Sequence, residues 1–137
     1  MIKLKFLSIL LLVFILSPSI TTAEETNLLT SSMTYKGENQ NWSVEHKIYL
    51  VGTEVEYETK IRYKGNDNEL KNIIPLRYTI GDKDGVISGN FSLKDGNVYH
   101  SERVECGGCR YKENLKETTF IIGEWLDYEE RLILSRE

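Results

Sequence analysis

The chain has 137 residues, 40% of them apolar and 28% charged, with a formal charge of −4. Those proportions suit one globular domain around a single core and exclude a disordered or collagen-like chain. The mildly acidic balance, without a basic run, argues against nucleic acid as a partner, because that affinity rests on neutralising phosphates.

Met1-Ile2-Lys3-Leu4-Lys5 is a short basic start, followed by the apolar stretch Phe6 to Leu16 and by Ser17 to Ala23. This order predicts a secretory signal peptide over residues 1–23, cut after Ala23, with Thr21 and Ala23 small enough for a peptidase pocket. The apolar run is shorter than the ~20 residues a membrane-spanning helix needs, so membrane contact is expected only through an uncleaved leader. No cysteine stands near the cut, so nothing there supports lipid attachment. Removing 23 residues leaves 114, and losing Lys3 and Lys5 takes the charge from −4 to −6. The product is expected to be secreted or held at the cell envelope.

Residues 24–30 read as a polar tether and residues 31–137 as one β domain. A first strand is expected near Ser32–Lys36. In Trp42–Val51, the residues Trp42, Val44, His46, Ile48 and Leu50 share a face. In Thr53–Tyr63, Val55, Tyr57, Thr59, Ile61 and Tyr63 oppose Glu54, Glu56, Glu58, Lys60 and Arg62. Alternation of this kind marks half-buried strands with one wet face. Val51-Gly52-Thr53 predicts a tight hairpin between the two, and Lys64 to Asn68 a loop. Further strands are expected over Ile73–Ile80 (with Pro75 marking an edge or a start), Val86–Leu93, Val98–Glu105, Thr118–Trp125 and Glu129–Leu134. Gly81 to Gly85 and Asp95-Gly96 turn the chain between them. Eight short strands at regular spacing predict an antiparallel sandwich or barrel, and the amphipathic strands favour the sandwich, with both tryptophans between its sheets. Stacked sheets of this kind are expected to leave little room for a deep cleft.

Gly37-Glu38-Asn39-Gln40-Asn41-Trp42, the Gly-Gly-Cys element and the closing segment with Trp125 together resemble a family of small exported or lipid-anchored proteins of Gram-positive bacteria. The resemblance spans roughly residues 31–135. It implies an immunoglobulin-like β-sandwich in an extracellular setting and brings no catalytic residues. The chain departs from lipid-anchored members in lacking a cysteine after the leader.

Cys106-Gly107-Gly108-Cys109 holds both cysteines. In an exported product the pair suits a disulfide across a tight turn. Thiol exchange is the sharper alternative, with Arg110 and Lys112 near enough in sequence to favour a thiolate. A metal site is a third, with His46, His100, Cys106 and Cys109 as weak candidates for a tetrahedral set; His100 shares parity with Val98 and Val104, which predicts that it faces inward. Asp82, Asp84 and Gly85 resemble part of a calcium loop, to which Asp67 and Glu69 would add only if the fold brought them close, but a β-turn before an apolar strand explains them better. Glu54, Glu56 and Glu58 could serve as acid and base, yet a solvated sheet face accounts for them. Asn41-Trp42-Ser43 and Asn90-Phe91-Ser92 match the glycosylation triplet, which matters only in a host that glycosylates. Tyr99, Tyr111 and Tyr128 would suit a binding surface if exposed together. With no hydrolase, phosphate-loop or zinc-protease motif, the expected function is a non-enzymatic binding module without a cofactor, facing an extracellular protein or envelope component. The alternative is a small metal or thiol-redox protein using Cys106 and Cys109. An inhibitor or immunity role toward a secreted enzyme is a third reading.

Overall fold

The structure, a computed structural model, describes residues 29–137 except 67, 73–74, 84, 94–95 and 124–128. The predicted leader, most of the tether, Asp67, Asp84, Trp125 and Tyr128 lie outside the described residues. Nine strands are present among the described residues: β1 (Leu29–Glu38), β2 (Trp42–Val51), β3 (Glu54–Tyr63), β4 (Leu76–Asp82), β5 (Gly85–Phe91), β6 (Val98–His100), β7 (Val104–Glu105), β8 (Glu117–Ile122) and β9 (Glu130–Arg136). One short helix, α1 (Asn68–Asn72), extends the loop expected after Lys64 and buries Leu70. β1 begins at Leu29, two residues inside the segment read as tether.

All pairings are antiparallel and follow one continuous path, β5-β4-β8-β9-β1-β2-β3-β6, with β7 beside β3. The sheet curls until its two ends nearly meet. Phe91 at the end of β5 lies against Tyr99 of β6 with ring centroids 5.2 Å apart, and Tyr78 of β4 reaches Tyr99 at 6.3 Å. Curling is what lets one sheet enclose a core: Tyr35, Trp42, Ile61, Leu76, Phe120 and Leu134 are each completely buried. The result is a nearly closed barrel, joined between β1 and β9 among the described residues by two ladder pairs, Tyr35 with Arg136 and Lys36 with Ser135, and by the Glu137 N–H donating to the Thr34 carbonyl at 3.0 Å.

The turns follow from their residues. Gly52, at φ +61°, makes the two-residue loop from Val51 to Glu54, a backbone region costly for other side chains. At the β1–β2 turn, Asn39 Oδ1 accepts the backbone N–H groups of Asn41 (2.9 Å) and Trp42 (2.8 Å), while Asn39 Nδ2 and Asn41 Nδ2 donate to the Glu130 carboxylate. Gly37 before it is required for closeness: a Cβ there would overlap the Ile133 carbonyl oxygen and stand 2.8 Å from Leu134 Cδ2. Gly37→Ala is therefore expected to force β1 away from β9 and cost about 1–3 kcal/mol, read as a lowered urea midpoint.

The predicted strand Val98–Glu105 is two short pieces, and this corrects the reading of His100. Ladder partners share a face, and Tyr99 pairs with inward Ile61 while His100 pairs with outward Lys60. His100 accordingly lies on the wet surface with Val98, which pairs with Arg62, and its Nε2 stands 3.7 Å from Glu58 Oε2. The acidic row of β3 is a charged face, as expected: Glu56 pairs with Arg103, and Glu58 accepts from the Tyr49 hydroxyl at 2.5 Å.

Candidate functional site

The aromatic cluster of Trp42, Tyr63, Tyr78, Phe91 and Tyr99 fills one end of the barrel. The other end is different. There the seam between the start of β5 and the start of β3 opens into a cavity of about 720 Å³. The expectation of little interior room is overturned by this space. Its apolar wall comes from Met33, Ile48, Val55, Tyr57, Ile80 and Ile87, and its mouth includes exposed Val86.

The segment from Cys106 to Lys116 crosses this end as a strap, from β7 beside β3 to β8 beside β4. Side chains and backbone pin it along its length. The Cys106 N–H donates to the Val55 carbonyl at 2.7 Å, and the Tyr111 hydroxyl donates to Ser31 Oγ at 2.7 Å. The Lys112 ammonium grips both oxygens of Asp82, at 2.9 and 3.0 Å. The Tyr35 hydroxyl donates to the Leu115 carbonyl at 2.9 Å, and burial raises its pKa. Cys106 and Cys109 form a close pair at the head of the strap, with Cα atoms 5.5 Å apart, inside the ~4.4–6.8 Å a disulfide spans. Gly108, at φ +87°, gives the turn its reversal, and the Cys109 N–H donates back to Cys106 O at 3.3 Å.

His46 lies in the wall of the same cavity. Regular alternation along β2 points it inward, as predicted, and it is only 1% exposed. Its Nδ1 meets Thr59 Oγ1 at 2.9 Å, directly across the β2–β3 ladder, whereas its Nε2 has no hydrogen-bond partner among the described residues. Burial away from water pushes the imidazole pKa down to about 4, so the ring is neutral at physiological pH. A buried nitrogen without a partner costs free energy.

Of the four weak metal candidates, the structure places His46, Cys106 and Cys109 around one cavity and His100 on the outer surface. No three His, Cys, Asp or Glu side chains cluster as a metal site among the described residues. Asp82, suspected of a calcium role, is held by Lys112. Tyr99 and Tyr111 pack against the core and so form no exposed cluster. Sequence reading missed the strap, whose residues have neither period; the only signal was the conjunction of inward His46 with the paired cysteines. No family model, curated protein or solved structure matches the chain.

Proposed function

We propose that the chain is an exported, non-enzymatic binding module that takes a small apolar ligand into the cavity beneath the strap. The observation that carries this reading is the cavity itself: its volume of about 720 Å³ falls within the ~300–1,000 Å³ of small-molecule sites, and its lining sets apolar Met33, Ile48, Val55, Ile80 and Ile87 beside the polar groups His46, Asp82, Arg110, Lys112 and Thr118. The leader-like start supports export, and export suits a disulfide between Cys106 and Cys109. The immunoglobulin-like sandwich implied by the Gram-positive resemblance is the finer fold reading. Strands β5-β4-β8-β9 and β1-β2-β3-β6 then act as its two sheets, and the two-pair β1–β9 joint supports that division.

The test is a fluorescence titration of the trimmed protein with N-phenyl-1-naphthylamine, an uncharged apolar probe. One-to-one saturable enhancement is expected, and a linear response without saturation refutes the reading. The disulfide closes a loop of only about four residues, so reduction or Cys106→Ser is expected to cost about 2 kcal/mol, read by urea denaturation with and without reductant.

A second reading has one observation in its favour, the shared cavity of His46, Cys106 and Cys109. Reduced thiols beside a neutral imidazole would make a metal or thiol-redox site. Native mass spectrometry separates the two: a retained ion lost on Cys106→Ser supports the metal site, while an oxidised, ion-free product supports the binding module.

A further inference from the structure

Charge and burial are segregated around the cavity. Its depth is formed by Met33, Val55 and Ile80, all buried. Polar groups at that depth are turned to the protein itself: the Tyr35 hydroxyl donates to the Leu115 carbonyl, the Thr118 hydroxyl donates to the Gly81 carbonyl at 3.1 Å, and His46 Nδ1 meets Thr59. His46 Nε2 is fully covered and presents no surface to a ligand. Among the described residues, the charged members of the lining are Asp82 at the end of β4 and Arg110 and Lys112 on the strap. Lys112 grips Asp82, so those two charges cancel. Arg110 is exposed and has no hydrogen-bond or ion-pair partner among the described residues. The rim therefore carries one unmatched positive charge, on a chain whose formal charge is −4.

Such an arrangement selects a molecule by its two ends. A hydrocarbon body gains by leaving water for the apolar depth, whereas a charged head would lose its hydration there and so stays at the rim. At the rim an ammonium head meets Arg110 as a like charge, and an uncharged head gains no ion pair from it. A phosphate monoester brings nearly two negative charges to one guanidinium, while a carboxylate brings one and matches its forked N–H donors. We propose that the cavity binds a single-chain amphiphile with a carboxylate head, the head paired with the Arg110 guanidinium at the rim and the hydrocarbon body against Met33, Ile48, Val55 and Ile80. This rests on the small-ligand reading above and specifies its chemical class. Arg110 is the specificity-determining residue, because its charge separates a carboxylate from an alcohol of the same chain length.

The experiment is displacement of N-phenyl-1-naphthylamine from the trimmed protein at pH 7.5, by decanoate or by decan-1-ol, below the concentrations at which either aggregates. The readout is the ratio of their affinities, decanoate over decan-1-ol, which cancels the shared hydrocarbon. Arg110→Glu is expected to lower that ratio about fivefold, the size of an ion pair at a partly exposed rim. Lys60→Glu, the same charge change on the outer face of β3, is expected to leave the ratio as it is. If the Arg110 variant fails to fold, the wild type supplies the answer through salt: raising sodium chloride from 50 to 500 mM is expected to lower the ratio at least twofold, because screening weakens the pair. A ratio unmoved by Arg110→Glu, one moved equally by Lys60→Glu, or one that does not fall with salt overturns the proposal while leaving the cavity a binding site. Failure of the naphthylamine probe to saturate overturns both readings together.

Discussion

Trp42→Ala is expected to remove about 3–5 kcal/mol, a large share of the ~5–15 kcal/mol that keeps a domain folded. Trp42 is completely buried, and it is the ring through which β2 touches both neighbouring and distant parts of the barrel. Its centroid lies 4.9 Å from that of Tyr63 on β3 and 6.3 Å from that of Phe91 on β5, on the far side of the open seam. Removing it leaves a void and frees the aromatic contacts that close that end. Thermal unfolding followed by circular dichroism would show a midpoint lowered by more than 10 °C, roughly what such a loss produces in a domain of about 100 residues. An exposed tryptophan at the same place would change it by almost nothing.

Acid is expected to weaken the protein through His46 before it acts on the carboxylates. The folded ring has its pKa lowered to about 4, against 6.5 when free. Below pH 6.5 the unfolded chain therefore takes up a proton that the folded chain refuses. The stabilisation is complete above pH 6.5 and is lost progressively as pH falls toward 4. At pH 4.5 the loss reaches about 2–3 kcal/mol relative to pH 7.5. Urea midpoints measured at the two values in wild type and His46→Leu would reveal it as a slope present in the first and much reduced in the second. Parallel slopes would mean that the imidazole is wet.

Regular strands could be read well, and the reason is visible in β2 and β3. Alternation is clean over Trp42–His46 and over Thr59–Tyr63, so side-chain parity alone assigned Trp42, Val44, His46, Ile61 and Tyr63 to the interior, while Val51, buried at the end of β2, breaks it. Parity failed where the strand was too short to define it. Val98, Tyr99 and His100 are consistent with either face, and the choice was made by pairing with Ile61 across the ladder, which is a long-range event. The curl of the sheet was hidden for the same kind of reason. Amphipathic strands describe a sandwich and a barrel equally well, and the meeting of Phe91 with Tyr99 depends on residues far apart in the chain.

The candidate site was only half legible. The inward direction of His46 followed from alternation, but its unpaired Nε2 depends on what Thr59 and the strap do. The strap carries no period because it is neither strand nor helix; Lys112, Tyr111 and Cys106 anchor it through individual hydrogen bonds to β4, β1 and β3. Gly37 shows the same limit in small form. Its necessity comes from the backbone of β9, nearly 100 positions away.

The most direct test of this account is a pH titration of the His46 ring by proton–nitrogen NMR on the trimmed, unliganded protein. A dry imidazole in the wall of the cavity is predicted to keep its neutral nitrogen shifts down to pH 5 and to protonate near pH 4. A midpoint near 6.5, with both nitrogens exchanging freely with solvent, would contradict it and take the proposed ligand site with it.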